Sequence, residues 1–326
     1  MKTTQLPVPV LRRLLLTMLR IRAFEDAVVA VYPEQNMKSP VHLSTGQEAV
    51  AAGVCAHLER RDTICTNHRN HGHCLAKGVP PLALAAECFG RKAGCAGGKG
   101  GSMHPVAPRY GIYGTSAIVG GGVPHAVGQA LAAKMDHSSR VSVAFFGDGA
   151  MEEGSSSESL NFAALHRLPV LFVCENNGYG ASSALCCRQP NEDISARAKA
   201  YGIRSARVDG NNVVEVYKAA RNAVAAVRQG QGPFFLECLT YRWYGHMGVK
   251  FDQEQGVRPW HELRSWQLRC PIKVLESVLG EEAPELAAQV PVLMARQRAA
   301  MDAVMVRAQR LPFPDPEEAL GPVFWS

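Results

Sequence analysis

The chain has 326 residues, 47% hydrophobic and 20% charged, a balance that excludes an intrinsically disordered protein and suffices for a substantial buried core. Its 35 basic and 29 acidic residues leave a formal charge of +6, which suits anionic ligands. No lysine–arginine run accompanies that excess, which argues against a nucleic-acid-binding protein.

In chain order, Val10 to Tyr32 reads as an amphipathic helix, with Leu11, Leu14, Leu15, Met18, Ile21 and Phe24 at three- and four-residue steps. Arg12, Arg13, Arg20 and Arg22 interrupt this apolar stretch, so it is neither a signal-peptide core nor a membrane span. A second helix is expected near Ser44, with Gln47 at capping-box spacing. Alanine-rich helices follow at 80–90, 123–135, 212–228 and 285–308. Between them lie apolar runs of strand length: Asp62 to Thr66, Val141 to Phe146, Pro169 to Cys174, Ile203 to Val208 and Phe234 to Tyr241. The alternation predicts an α/β fold, a mainly parallel sheet flanked by helices. The ten cysteines show no metal-ligand spacing and read as buried, reduced thiols, consistent with a cytoplasmic location.

In a parallel sheet, ligands bind beyond the carboxyl ends of the strands. Four of the expected strands run into polar segments: Asn67-His68-Arg69, Gly147-Asp148-Gly149, Glu175-Asn176-Asn177 and Arg242 to His246. Asp148 and Asn177 are 177 − 148 = 29 residues apart, enough for one helix and one returning strand. A right-handed crossover then sets the two side by side. A carboxylate, an amide oxygen and a backbone carbonyl form the hard-oxygen set that magnesium prefers, completed by phosphate and water. The flanking Gly147 and Gly149 let backbone N–H groups approach those phosphates. Two other glycine-rich motifs fail. Gly94 to Lys99 looks like a P-loop, but Gly100 stands where Ser or Thr is required. Gly120 to His125 lacks the third glycine of a dinucleotide fingerprint.

The segment FFGDGAMEEGSSSESLNFAALHRLPVLFVCENNGYG resembles the thiamine-diphosphate motif. With HLSTGQEAVAAG, GCAGGKGGSMH, AIVGGGVPHAVGQALAAK and GPFFLECLTYRWYGH, the chain is similar over nearly its whole length to α subunits of the first component of 2-oxo acid and acetoin dehydrogenases. The resemblance implies a single thiamine-diphosphate-binding domain over 1–326. It would comprise a helical N-terminal segment (about 1–40), a core (about 41–258) and a helical tail (about 259–326). Asp148 and Asn177 would ligate Mg2+ by side chain and Tyr179 by its carbonyl, with Gly147 and Gly149 along the diphosphate. Arg69 falls on the family's diphosphate-binding arginine, preceded by His68 where a tyrosine is usual. Val119 would meet the aminopyrimidine through its backbone, although Ala117 stands where a glycine is usual. His42 and His246 would lie near the reacting thiazolium as catalytic hydrogen-bonding groups. His71 and His73 are candidates for supporting the site from behind, while His57, His137, His166 and His261 read as surface or structural.

The glutamate that activates thiamine lies, in the resembled enzymes, on a separate β subunit with the pyrimidine-binding domain, which implies an αβ heterotetramer. A lipoyl-bearing acyltransferase would then receive the fragment cleaved from a 2-oxo acid or acetoin. A carboligase α subunit and a non-catalytic α-like subunit stand as alternatives. The glycines and charges of Gly245 to Gly256 suit a mobile loop that orders when cofactor binds.

Overall fold

The computed structural model describes residues 4–37 and 39–320. Among the described residues there are eight strands: β1 Thr63–Asn67, β2 Ile112–Ser116, β3 Ser142–Gly147, β4 Val170–Asn176, β5 Tyr179–Gly180, β6 Ser183–Ala184, β7 Arg204–Asp209 and β8 Phe234–Leu239. Six of them form one sheet in the order β2-β1-β3-β4-β8-β7, parallel throughout, and β5 and β6 form a small antiparallel hairpin. Alternate residues of the central strands feed opposite cores. Val143, Phe145, Leu171 and Val173 face one side, while Ala144, Phe146, Val170 and Phe172 face the other. This two-sided burial explains why these strands read as unbroken apolar runs.

The first face is covered by α1 (Val8–Val31), α2 (Glu48–Cys55), α3 (His71–Lys77), α4 (Pro81–Cys88), α9 (Val213–Arg228) and α12 (Pro284–Gln309). The second face is covered by α5 (Gly122–Met135), α6 (Gly154–Leu165) and residues around α7 (Leu185–Arg188) and α8 (Ser195–Ala200). Helix α9 (Val213–Arg228) starts where the Asn212 side chain accepts N–H bonds from Val214 and Glu215, at 3.1 and 3.4 Å. The tail comprises α10 (Trp260–Leu268), α11 (Pro271–Glu282) and α12 (Pro284–Gln309); α12 packs along α1 and closes the first core. Residues 321–326 of the expected tail lie outside the described residues, as do 1–3 and 38 of the N-terminal segment.

Three sequence expectations need correction. The Ser44–Gln47 capping box does not form: α2 starts at Glu48 with no side-chain cap, and the Ser44 hydroxyl donates instead to the buried Glu25 carboxylate at 3.0 Å. Strand β2 was not expected, because Gly114, Thr115 and Ser116 interrupt its apolar pattern at the sheet edge. Not every thiol is buried: Cys186 and Cys187 are exposed, on the short helix α7.

Candidate active site

Because the six strands are parallel, the ends of β1, β3, β4 and β8 deliver their polar segments to one edge of the sheet, as expected. Gln47, His68, Arg69, Val119, Gly147, Asp148, Gly149, Asn177, Tyr179 and His246 all line one cavity there, with about 680 Å3 of open space. The cavity therefore joins residues separated by up to 246 − 47 = 199 positions in the chain. His42 reaches the same place through its neighbours, its ring lying 4.6 Å from that of His68 and 5.2 Å from that of His246. Val119 and the adjacent Ile118 form an exposed apolar lip.

The cavity carries an unmet demand for an anion. Arg69 is 4% exposed, and its guanidinium donates to the Leu43 carbonyl at 2.8 Å, the His246 carbonyl at 2.7 Å and His246 Nδ1 at 3.2 Å. All of these partners are uncharged. Burial and the neighbouring Arg242 both disfavour the Arg69 charge, and an anion in the cavity would relieve that cost.

The cavity also carries an unmet demand for a cation. Asp148 is 1% exposed, and one of its oxygens, Oδ2, pairs with Arg188. Its other oxygen, Oδ1, is buried without a hydrogen-bond partner. Burial raises the Asp148 pKa, with Arg188 opposing, so the carboxylate would gain from a further positive charge. Asn177 is oriented by donating from Nδ2 to Gln47 Oε1 at 3.0 Å, while its Oδ1 accepts from the Tyr179 N–H at 3.2 Å. Asn176 is committed elsewhere, donating to Glu237 Oε1 at 2.8 Å. A free carboxylate oxygen beside an oriented amide fits a hard divalent cation.

Two imidazoles, His68 and His246, line the cavity, and the His42 ring packs against both. A ring nitrogen from each of His42, His68 and His246 lies within 4.8 Å of the others. Burial, reinforced by Arg69, pushes their pKa values down to about 3, about 2 and about 4, so all three are neutral near pH 7. The N–H from Arg69 to His246 Nδ1 leaves the ring proton on Nε2. That guanidinium also opposes a metal ion among the rings, and the cluster reads better as a neutral hydrogen-bonding wall facing an anionic ligand. His42 Nδ1 is buried without a hydrogen-bond partner.

The two remaining histidines diverge. His73 lies beneath the cavity floor, stacked on Phe145 at 4.1 Å, bonded to Thr66 Oγ1 at 2.7 Å and to Glu175 Oε1 at 3.2 Å. Glu175 itself lines the cavity, so His73 touches the cavity wall from behind. His71 does not reach the cavity and instead pairs with buried Glu25 at 3.4 Å and Ser102 Oγ at 2.8 Å. The Tyr179 hydroxyl donates to Glu262 Oε2 at 2.8 Å and is committed there. The 245–256 segment is anchored rather than loose at Asp252, which is buried between Arg242 and Arg258 at 2.8 Å each. Sequence reasoning missed Gln47, Arg188 and Glu175 as site residues. Gln47 was visible only as a helix-cap candidate, and nothing local marks Arg188.

The cavity thus sets anion-seeking Arg69 and cation-seeking Asp148 at the carboxyl end of a doubly wound α/β sheet, the edge at which such sheets bind ligands. Residues 16–317 match the dehydrogenase E1 component family. The chain is 48% identical, over 70% of its length and 69% of the relative's, to the α subunit of acetoin:2,6-dichlorophenolindophenol oxidoreductase from Bacillus subtilis. It is 35% identical to the protein of the same name from Cupriavidus necator, over 98% of its own length and 96% of the relative's. It is 39% identical to the pyruvate dehydrogenase E1 component subunit α of Porphyra purpurea, over 79% of its own length and 76% of the relative's. The chain belongs to the dehydrogenase E1 component family, which makes it an oxidoreductase component and implies thiamine diphosphate as its cofactor. Among the described residues, no helix is long and apolar enough to cross a membrane.

Proposed function

We propose that this chain is the α subunit of a cytoplasmic thiamine-diphosphate-dependent dehydrogenase that cleaves acetoin or a 2-oxo acid and passes the two-carbon or acyl fragment to lipoamide. The carrying observation is the pairing, in one cavity, of buried Arg69 bonded only to neutral groups with the unpartnered Asp148 Oδ1. A magnesium diphosphate satisfies both demands at once. Asp148, Asn177 and the Tyr179 carbonyl would hold the Mg2+, while Arg69, His68 and the N–H groups flanking Gly147 and Gly149 would take the diphosphate. Val119 would meet the aminopyrimidine at the lip.

When bound, thiamine diphosphate supplies a carbon nucleophile and an electron sink. The chain's own contribution is orientation and proton handling. Neutral His42 and His246 can each give or take a hydrogen bond at physiological pH, and the Arg69 bond fixes the His246 ring. The exposed lip at Ile118 and Val119 supports closure of the cavity by a second chain, a β subunit carrying the pyrimidine-binding domain and the activating glutamate. An αβ heterotetramer associated with a lipoyl-bearing acyltransferase is the assembly this implies. The names of the first two relatives favour acetoin as the substrate over pyruvate.

Coexpression with a β subunit of the same family, then a panel of acetoin, pyruvate and longer 2-oxo acids with an artificial electron acceptor, tests the proposal. Turnover of one class that requires thiamine diphosphate and Mg2+ is expected. A correctly assembled complex that binds the cofactor and turns over none of them would overturn the dehydrogenase reading.

A further inference from the structure

The glycine-rich segment that mimics a P-loop has an occupant of its own. Glu87, on α4, is completely buried, and four backbone N–H groups converge on its carboxylate. Ala96 and Gly98 donate to Oε2 at 2.7 and 3.0 Å, and Gly100 and Gly101 donate to Oε1 at 2.7 and 3.2 Å. Successive N–H groups turned to one point form a concave anion-binding nest. Here the anion is a side chain of the same protein, so no external phosphate is needed to fill it.

The glycines are required by this wrapping. A Cβ at Gly94 would sit 2.3 Å from Glu87 Oε2, and one at Gly100 would sit 2.0 Å from the His104 carbonyl and 3.3 Å from Glu87 Oε1. The wrapped loop then delivers Ser102 and Met103, whose carbonyls accept from Asn70 Nδ2 at 3.0 and 3.3 Å. The Ser102 hydroxyl meets His71 Nε2 at 2.8 Å, and the Ser102 N–H donates to Ser39 Oγ at 2.9 Å. Asn70 is fully buried and is the residue after Arg69. A continuous chain of bonds therefore runs from the Glu87 carboxylate, through the loop, to the backbone that carries Arg69.

We propose that Glu87 is a positioning residue: an internal anion that folds the 94–101 loop around itself so that the loop, through Asn70, fixes Arg69 for the cofactor's diphosphate. This rests on the reading of Arg69 as the diphosphate-binding group. Charge-assisted bonds from backbone N–H groups to a buried carboxylate are strong because both partners have left water. An amide of the same shape cannot reproduce them, since its NH2 would face two donors.

The test compares native, Glu87→Gln, Glu87→Asp, Asn70→Ala and Arg69→Ala chains, each assembled with the β subunit. Hydrogen exchange is read at residues 94–104, and thiamine-diphosphate affinity is titrated with Mg2+ present. For Glu87→Gln, exchange at Ala96, Gly98, Gly100 and Gly101 should accelerate and the cofactor Kd should rise about tenfold, on the scale of one lost charged hydrogen bond. At saturating cofactor, kcat should stay within about twofold of native, because the chemistry is untouched. Glu87→Asp keeps the charge and should recover part of both losses. Asn70→Ala should weaken cofactor binding while leaving the exchange at 96–101 slow, and it decides the matter if Glu87→Gln fails to assemble. Native affinity in Asn70→Ala, or native exchange in a folded Glu87→Gln, overturns the proposal. Native affinity in Arg69→Ala would instead refute the diphosphate assignment and leave the exchange result to judge Glu87 alone.

Discussion

Gly147→Ala separates a ligand-binding requirement from a folding requirement. In the chain alone, a Cβ built at Gly147 has its nearest heavy atom, the Glu175 carbonyl oxygen, 4.0 Å away, an ordinary contact. Its backbone at φ −83° and ψ 166° is extended and open to any residue. The free protein should therefore keep its stability within about 0.5 kcal/mol, the range of substitutions that meet nothing. Gly147 lines the cavity, however, and the new methyl group would occupy space proposed for the diphosphate. Overpacking of a close-fitting contact costs about 1–3 kcal/mol. That corresponds to a rise in cofactor Kd of roughly 5- to 150-fold. Thermal unfolding without ligand, paired with calorimetric titration of thiamine diphosphate and Mg2+ into the assembled enzyme, reads both numbers. Native cofactor affinity would refute the placement of the diphosphate against this turn, and a large loss of Tm without ligand would refute the reasoning about space.

Asp148→Asn keeps the side-chain volume and leaves Arg188 paired with Glu152. It should weaken Mn2+ binding, followed by electron paramagnetic resonance as a magnesium substitute, by about a hundredfold or more, since loss of one partner of a buried charge pair costs about 3–5 kcal/mol. Burial lowers the His71 pKa, but the neighbouring Cys88 thiol and Glu25 carboxylate outweigh it and raise it from 6.5 to about 10. Its stabilisation is therefore full below pH 6.5 and is lost as pH rises towards 10; His71→Gln should flatten the alkaline limb of a Tm–pH profile. His42, His68 and His246 act in the opposite direction: below pH 6.5 the unfolded chain takes up protons that the folded chain refuses, so stability falls on acidification. His68→Phe should make the acid limb shallower. Gly53→Ala would set a Cβ 2.6 Å from Val216 Cγ1 and 3.0 Å from the Tyr217 backbone nitrogen, forcing α2 off α9. A loss of about 1–3 kcal/mol in chemical denaturation is expected, with partial recovery in the Gly53→Ala, Val216→Ala double variant.

Much of this protein is written locally. The strand-length apolar runs are legible because each central strand is buried on both faces, and the α1 periodicity because its N-terminal half buries Leu11, Leu14, Leu15, Met18 and Leu19 on one face. The spacing of Asp148 from Asn177 is legible because a single helical crossover separates adjacent parallel strands. The edge strand β2 was hidden because edge pairing demands little hydrophobicity. The Ser44 cap failed because Glu25, 19 residues away, bids for the same hydroxyl with a charge.

The run of strands and helices and the polar residues at the strand ends follow from local periodicity and chain connectivity alone. Only the tertiary structure decided which of those residues share an environment. It pairs Asp148 with Arg188, turns Asn177 with Gln47, separates His73 beneath the cavity from His71 beside Glu25, and occupies the glycine-rich loop with Glu87. Each of these depends on contacts between distant segments, where burial strengthens electrostatic interactions and leaves any unmatched group costly.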